Sequence, residues 1–139
     1  IFFSSGINTF SLNAINGQTI WKQEVSSIAT PIVSGKNIFI VTDNGYFVIL
    51  EKDTGKIISS SNILKILKRK KQKTKVTGFI MGSDKIYSTT LNGFLIATPA
   101  TSGKPEYFRK IGGSNISPLV INNGRLYILT DESKILVLN

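Results

Sequence analysis

The sequence predicts an all-β fold made of about three and a half repeated sheets, each with four short antiparallel strands. Three segments align with one another, beginning at Pro31, Phe79 and Pro118. Short apolar runs alternate with turns rich in Gly, Asn and Asp, which tolerate the positive φ of tight hairpins. The links between runs are two to four residues long, too short for the crossover helices of a parallel sheet.

The repeat has a period of about 38 to 40 residues. Gly45 and Gly93 are 48 residues apart, as are Gly55 and Gly103, whereas Gly17 precedes Gly55 by 38. The longer interval contains an insertion. We therefore expect one propeller-like domain over residues 1–139, with units over about 1–27, 28–62, 76–112 and 116–139 and an insertion over 63–75.

Each complete unit is expected to contain four strands in order. In PIVSGKNIFIVTDNGYFVILEKDTGKI, which begins at Pro31, the turns SGK, DNG and DTG separate four runs. The opening unit supplies three strands and the last unit ends on its third run, KILVL. The whole chain is therefore expected to form fourteen strands.

The middle strands are apolar on both faces. Ile38 and Ile40 alternate with Phe39 and Val41, whereas a sheet with one wet face alternates apolar with polar residues. Blades stacked around an axis bury both faces, so we expect a partial β-propeller. Its open ends leave unpaired edges, which seek partners. Either two copies associate, their 28 strands making seven four-stranded blades, or the chain is the C-terminal part of a longer one.

The first unit contains LNAINGQTIW, in which Trp21 follows Gly17 by four residues. This resembles the signature of pyrroloquinoline-quinone-like (PQQ-like) repeats, in which an apolar strand leads to an Asp or Asn turn, then Thr-Gly-Lys and a Trp. Ser59 and Tyr107 stand at the Trp position of the next two units. The resemblance implies that this Trp docks between adjacent blades. Units that lack it should have weaker or differently filled boundaries.

Within that family the pattern is most similar to the B components of the bacterial outer-membrane β-barrel assembly machinery. The last unit lacks a fourth strand, which suits a blade completed by a strand from the N-terminus. The segment SNILKILKRK lies where those proteins carry a short helical connection. The resemblance implies a protein of the periplasm or the periplasmic face of the outer membrane, with assembly-machinery proteins as partners, although no signal peptide is visible at Ile1.

Cys and His are both absent, which removes thiolate nucleophiles, imidazole bases and the usual zinc ligands. The quinone dehydrogenases resemble this repeat and need a catalytic Asp and acidic calcium ligands, but the acids here fall at turns, where Asp satisfies backbone donors. The sequence predicts a non-enzymatic protein–protein interaction scaffold without catalytic, cofactor-binding or metal-binding residues. A degenerate quinone-dependent dehydrogenase fragment is the alternative.

The net charge of +9 is concentrated in the insertion. The candidate partner-binding residues are Lys65, Lys68, Arg69, Lys70, Lys71 and Lys73. Ile63, Leu64, Ile66 and Leu67 would line the opposite face of a short helix. The tract is interpreted as a solvated loop packed on the propeller rim, or as a surface that docks an acidic protein or anionic membrane headgroups. Nucleic-acid binding is disfavoured because the tract carries no aromatic residue for stacking.

Overall fold

The computed structural model describes residues 1–71, 74–113 and 119–139, and for residues 69–71 it describes the backbone alone. Within these described residues, fourteen strands form four antiparallel sheets of three, four, four and three strands. Within each sheet, every strand pairs with the next one along the chain. This arrangement confirms the predicted partial propeller, and we number the sheets blades 1 to 4.

Blade 1 contains β1 (Phe2–Ser5), β2 (Asn8–Leu12) and β3 (Thr19–Gln23). Blade 2 contains β4 (Ile32–Ser34), β5 (Asn37–Val41), β6 (Tyr46–Glu51) and β7 (Ile57–Asn62). Blade 3 contains β8 (Val76–Gly82), β9 (Lys85–Thr90), β10 (Phe94–Pro99) and β11 (Tyr107–Lys110). Blade 4 contains β12 (Val120–Asn122), β13 (Arg125–Leu129) and β14 (Ile135–Leu138). A 3-10 helix, Ile63–Lys71, follows blade 2.

Cross-strand pairs recur at equivalent places in the four blades. These pairs are Phe3 with Phe10, Ile40 with Val48, Ser88 with Ile96, and Ile128 with Leu136. By this register blade 1 supplies the second to fourth strands of a complete blade. Blade 4 supplies the first to third strands.

The core lies between successive blades, because both faces of the middle strands are buried. On β5, Ile38 and Ile40 pack toward blade 1, where Phe2 and Trp21 contact their cluster. Phe39 and its neighbours on the other face belong to the cluster shared with blade 3. A third cluster fills the boundary between blades 3 and 4. Stability therefore depends on contacts between nearest neighbours, as in other repeat proteins.

Candidate functional site

The apolar residues of the basic insertion lie in the core between blades 2 and 3. Ile63, Leu64 and Leu67 are buried there among side chains of both blades, and Ile66 packs against the same cluster partly exposed. The insertion is therefore an integral part of this boundary and extends deeper than a loop resting on the propeller rim.

Blade 2 fixes the start of the 3-10 helix. The Asn62 side-chain oxygen accepts a hydrogen bond from the Leu64 amide at 3.0 Å, as a helix cap does. The Ile63 amide donates to the Gly45 carbonyl at 2.9 Å. Gly45 has φ +86°, and a methyl group there would overlap the Leu64 side chain. A glycine in the turn between β5 and β6 therefore provides the space into which the helix packs.

The exposed side of the helix carries positive charge. The Lys65 and Lys68 side chains are both exposed, and the backbone leaves helical geometry at Lys68, with φ 48°. The side chains of three further predicted residues, Arg69, Lys70 and Lys71, and the whole of Lys73 lie outside the described part of the chain. The structure thus places two of the six predicted cations on this surface.

An open groove runs beside this helix, between the outer strand of blade 2 and the turn after β10 in blade 3. It is lined by Tyr46, Ser60, Ser61, Asn62, Lys65, Ile66, Lys104 and Pro105. Two lysines therefore flank one half-exposed tyrosine and one aliphatic side chain, and the lining residues include no acid. Sequence reasoning missed Tyr46 and Lys104 because they come from different blades and no local pattern joins them to the insertion.

Lys75, at the far end of the insertion, is held by an ion pair. Its Nζ lies 2.9 Å from Oδ2 of Asp43, in the turn between β5 and β6. The hydrogen bond and opposite charge of this pair raise the pKa of Lys75 and lower the pKa of Asp43. The Val76 amide also donates to the Asp43 carbonyl at 2.8 Å. Lys75 therefore serves the junction between blades 2 and 3, and its charge is locally compensated.

The three blade boundaries are filled differently at the position of the repeat Trp. Trp21 of blade 1 lies against Gly55 of blade 2, and its indole N–H donates to the Lys52 carbonyl at 3.0 Å. At the next boundary the Phe47 ring comes within 3.5 Å of a Cβ built on Gly103. Ser59, at the Trp position, is exposed.

Blade 3 carries Tyr107 at the Trp position, and this side chain is 44% exposed. It lines a cavity of about 120 Å³ between blades 3 and 4, together with Tyr87, Arg109 and Arg125. Tyr107 therefore lines a cavity at this boundary, whereas Trp21 lies against Gly55 at the first one.

The chemistry available in the described residues is limited. Residues 1–71, 74–113 and 119–139 contain no group of three or more acidic side chains that could hold a metal ion. Over the same part of the chain, no helix is both long and apolar enough to span a membrane. Asp53, Asp84 and Asp131 lie in turns, where the sequence predicts a structural role for them.

Comparison with known proteins indicates that the fold is similar to that of BamB. Residues 1–61 match the family described as outer membrane protein assembly factor BamB. No curated protein matches the chain in sequence. The solved structure of BamB from Moraxella catarrhalis superposes with a TM-score of 0.73 at 16% identity, covering 95% of this chain. The chain spans 40% of that structure's length.

Two other solved structures share the architecture. Quinohemoprotein alcohol dehydrogenase from Comamonas testosteroni superposes with a TM-score of 0.65 at 14% identity, covering 78% of this chain and 19% of its own. The computationally designed Ika4 protein gives a TM-score of 0.73 at 10% identity, covering 94% of this chain and 78% of its own. The chain thus has a PQQ-like propeller fold, and its first 61 residues match the BamB family model.

Proposed function

We propose that this chain is a non-enzymatic scaffold that binds other proteins, as a BamB-like component of outer-membrane protein assembly at the periplasmic face of a bacterial envelope. The observation that carries the proposal is the groove between blades 2 and 3, where Lys65 and Lys104 flank Tyr46 and Ile66. The BamB match over residues 1–61 and the superposition on BamB support it.

The groove fits an acidic protein surface that presents an apolar side chain. Partly exposed aromatic residues are enriched at protein interfaces, and Tyr46 is 43% exposed. Lys65 and Lys104 would speed association with an acidic partner and make binding depend on salt. The described part of the 3-10 helix also carries the exposed Lys68. We include Lys68 in the proposed surface, and Arg69, Lys70, Lys71 and Lys73 on the strength of the sequence.

A binding assay with charge-reversed variants tests the proposal. We would combine Lys65→Glu with Lys104→Glu and measure binding to purified periplasmic proteins of the assembly machinery at two salt concentrations. The matched control is Lys36→Glu with Lys56→Glu, which makes the same charge change at two exposed lysines of blade 2 away from the groove. We expect at least a tenfold loss of affinity for the groove variant and unchanged affinity for the control.

Anionic vesicles and an oligonucleotide belong in the same assay. Equal binding of the groove variant and wild type to every protein would overturn the proposed site. Stronger loss of vesicle or oligonucleotide binding than of protein binding would assign the groove to lipid headgroups or nucleic acid instead.

The alternative function is a degenerate quinone-dependent dehydrogenase. The observation that favours it is the similarity in fold to the Comamonas enzyme. Adding pyrroloquinoline quinone and calcium while following the melting temperature and the absorbance of the quinone separates the two functions. A scaffold leaves both unchanged. A calcium-dependent rise in melting temperature would favour the dehydrogenase.

A further inference from the structure

We propose that β7, the outer strand of blade 2, binds an extended acidic segment of a partner protein by adding it to the sheet as a further strand. This rests on the proposed function, because the segment occupies the same groove, and it specifies the form that the partner takes there. Three features of β7 carry it: the direction of its backbone groups, its lack of charged residues, and the lysines beside it.

The strand β7 lies at the edge of its sheet. The strand order in blade 2 is β4-β5-β6-β7, so β7 pairs with β6 on one side only. Its register with β6 is regular from Asn62 back to Ser59 and shifts between Ser59 and Ile57. Such a shift ends a regular edge. The stretch that can pair with another strand is therefore the one after the shift, and its residues Ser60, Ser61 and Asn62 line the groove.

The direction of the backbone groups of β7 follows from its ladder with β6. The Ile63 amide donates to the Gly45 carbonyl, and these two residues continue the register of the two strands. Hydrogen-bonded and non-hydrogen-bonded pairs alternate along an antiparallel ladder. Ser61 and Ser59, two and four residues before Ile63, are therefore the residues of β7 whose N–H and C=O groups bond to β6.

The residues between them present their backbone to the outer side of the blade. The N–H and C=O groups of Ser60 and Asn62 point away from β6, because successive residues of a strand alternate in direction. Both residues line the groove, and Ser60 is exposed. An extended chain in the groove can accept a hydrogen bond from the Ser60 N–H and donate one to the Ser60 carbonyl. These are the main-chain bonds by which a peptide adds to a sheet edge.

The composition of β7 distinguishes it from the outer strands of the two neighbouring blades. Proteins commonly protect an exposed edge with charged side chains, Lys especially. In blade 1 the outer strand β3 carries Lys22, and in blade 3 the outer strand β11 carries Arg109 and Lys110. The sequence of β7 is IISSSN, without a charged residue. Its small serine side chains therefore leave the edge open to another strand.

A strand laid along β7 meets different chemistry on its two faces. Tyr46 lies on the side of blade 2 that faces blade 1, since it alternates with Phe47, which packs toward blade 3. On the side toward blade 3, the Ser61 hydroxyl donates to the Gly103 carbonyl, next to Lys104. Successive side chains of a strand point to opposite faces. A segment in which apolar and acidic residues alternate therefore places apolar groups beside the tyrosine and carboxylates beside the lysine.

The charge of the groove favours such a segment over a second copy of this chain. Its lining residues include Lys65 and Lys104 and no acid. Pairing of β7 with the same strand of another copy would bring these lysines together with their counterparts, and like charges across paired strands are destabilising. The carboxylates of an acidic segment would instead be attracted to both lysines.

A pair of substitutions at Ser60 tests the backbone contact. The probe is a synthetic peptide in which Glu alternates with Val, and its affinity is measured by isothermal titration calorimetry. Ser60→Pro removes the outward N–H, and proline is tolerated on an edge strand where the N–H faces solvent. We expect Ser60→Pro to lower the affinity by about tenfold or more. Ser60→Ala is the matched control, because it removes the hydroxyl but keeps the N–H, and it should bind as wild type does.

Modified peptides test the same contact from the ligand side, and they do so even where Ser60→Pro fails to fold by circular dichroism. One peptide is N-methylated at every Val and the other at every Glu. Amides of only one of these sets face β7 in a given pairing direction, so one peptide should lose binding and the other should retain it. Undiminished binding of both methylated peptides would overturn the proposal, as would equal losses for Ser60→Pro and Ser60→Ala.

Two further results separate this proposal from the proposed function. A protein partner that is lost with Lys65→Glu and Lys104→Glu but binds Ser60→Pro normally would overturn strand addition and leave the scaffold function standing. Loss of neither partner nor peptide in any of these variants would overturn both. A wild-type chain that is dimeric by light scattering and becomes monomeric with Ser60→Pro would assign the edge to a second copy and overturn the acidic segment as its occupant.

Discussion

The indole ring of Trp21 lies directly against Gly55 of the next blade. A Cβ built on Gly55 would be 2.6 Å from two of the ring carbons, and the backbone there has φ +72°. This position therefore requires a glycine for two reasons, which are the left-handed turn and the close approach of the ring. The indole N–H completes the contact by donating to the Lys52 carbonyl.

Replacing Trp21 tests how much this contact stabilises the boundary between blades 1 and 2. We expect Trp21→Ala to lower the free energy of unfolding by about 2 to 4 kcal/mol, because a large, partly buried ring and a hydrogen bond are both lost. Trp21→Phe keeps most of the ring and should cost about 1 to 2 kcal/mol. Urea unfolding followed by circular dichroism measures both changes.

The stability cost of Gly55→Ala should depend strongly on whether Trp21 is present. With the indole present, the added methyl group both clashes with the ring and strains the turn. In the Trp21→Ala background the strain of the left-handed conformation remains, about 1 to 2 kcal/mol. A double-mutant cycle in urea therefore should show non-additive costs, and equal costs in both backgrounds would contradict the contact.

The packing of the 3-10 helix predicts a difference between two glycines that share one backbone conformation. Gly45 has φ +86° and Leu64 beside it, whereas Gly17 has φ +71° and nothing within 4 Å of an added Cβ. Gly17→Ala should cost about 1 to 2 kcal/mol for the strained φ alone. Gly45→Ala should cost more, because Leu64 must also move out of the core. Equal melting temperatures of the two variants would argue against this placement of the helix.

Phe47 should be essential to the boundary between blades 2 and 3, where no Trp is present. Its side chain is 1% exposed, stacks on Phe39 with centroids 5.9 Å apart, and approaches Gly103. Phe47→Ala is expected to destabilise the chain by about 3 to 5 kcal/mol in urea unfolding. Tyr46→Ala, at the neighbouring exposed position, serves as the control and should cost far less.

The ion pair between Asp43 and Lys75 gives stability a defined pH dependence. The pKa of Asp43 is lowered below its ordinary value of 3.8, so its contribution is present above that pH and is lost as pH falls through the lowered value. The pKa of Lys75 is raised above 10.5, so its contribution is lost only as pH rises through the raised value. The effect should be small and sensitive to salt, because both side chains are more than half exposed and exposed pairs are screened.

Asp43→Asn isolates this contribution. Wild type should have a higher urea midpoint than the variant near neutral pH, and the two midpoints should converge at acidic pH once the Asp43 carboxyl is protonated. A difference that persists unchanged at a pH low enough to protonate the Asp43 carboxyl would show that the ion pair is not its cause.

The repeat made the strands and their turns predictable from the sequence. Asn-Gly and Asp-Thr-Gly turns marked the hairpins, and the double-sided apolar pattern around Phe39 indicated sheets buried on both faces. The role of Leu64 was harder to predict, because the gap that receives it is created by Gly45, nineteen residues earlier. Periodicity describes a helix but not the cavity into which the helix packs.

The candidate site was predictable only in part for the same reason. The lysine run was visible as a local excess of charge, whereas the groove joins Tyr46 and Lys104 across a boundary between blades. The ion pair of Lys75 with Asp43 likewise depends on a contact between residues 32 positions apart. Such contacts depend on how the blades pack together, and a local sequence pattern does not predict them.

The different fillings of the three boundaries have a consequence for how the chain avoids misfolding. Blades of similar sequence can stack in the wrong order while the chain folds, and repeat proteins are prone to such errors. Here the Leu64 side chain of the 3-10 helix packs beside Gly45, and the indole N–H of Trp21 donates to the Lys52 carbonyl. A blade that packs against the wrong neighbour therefore loses one of these specific contacts. The differences between the boundaries therefore favour the correct order of blades that would otherwise be interchangeable.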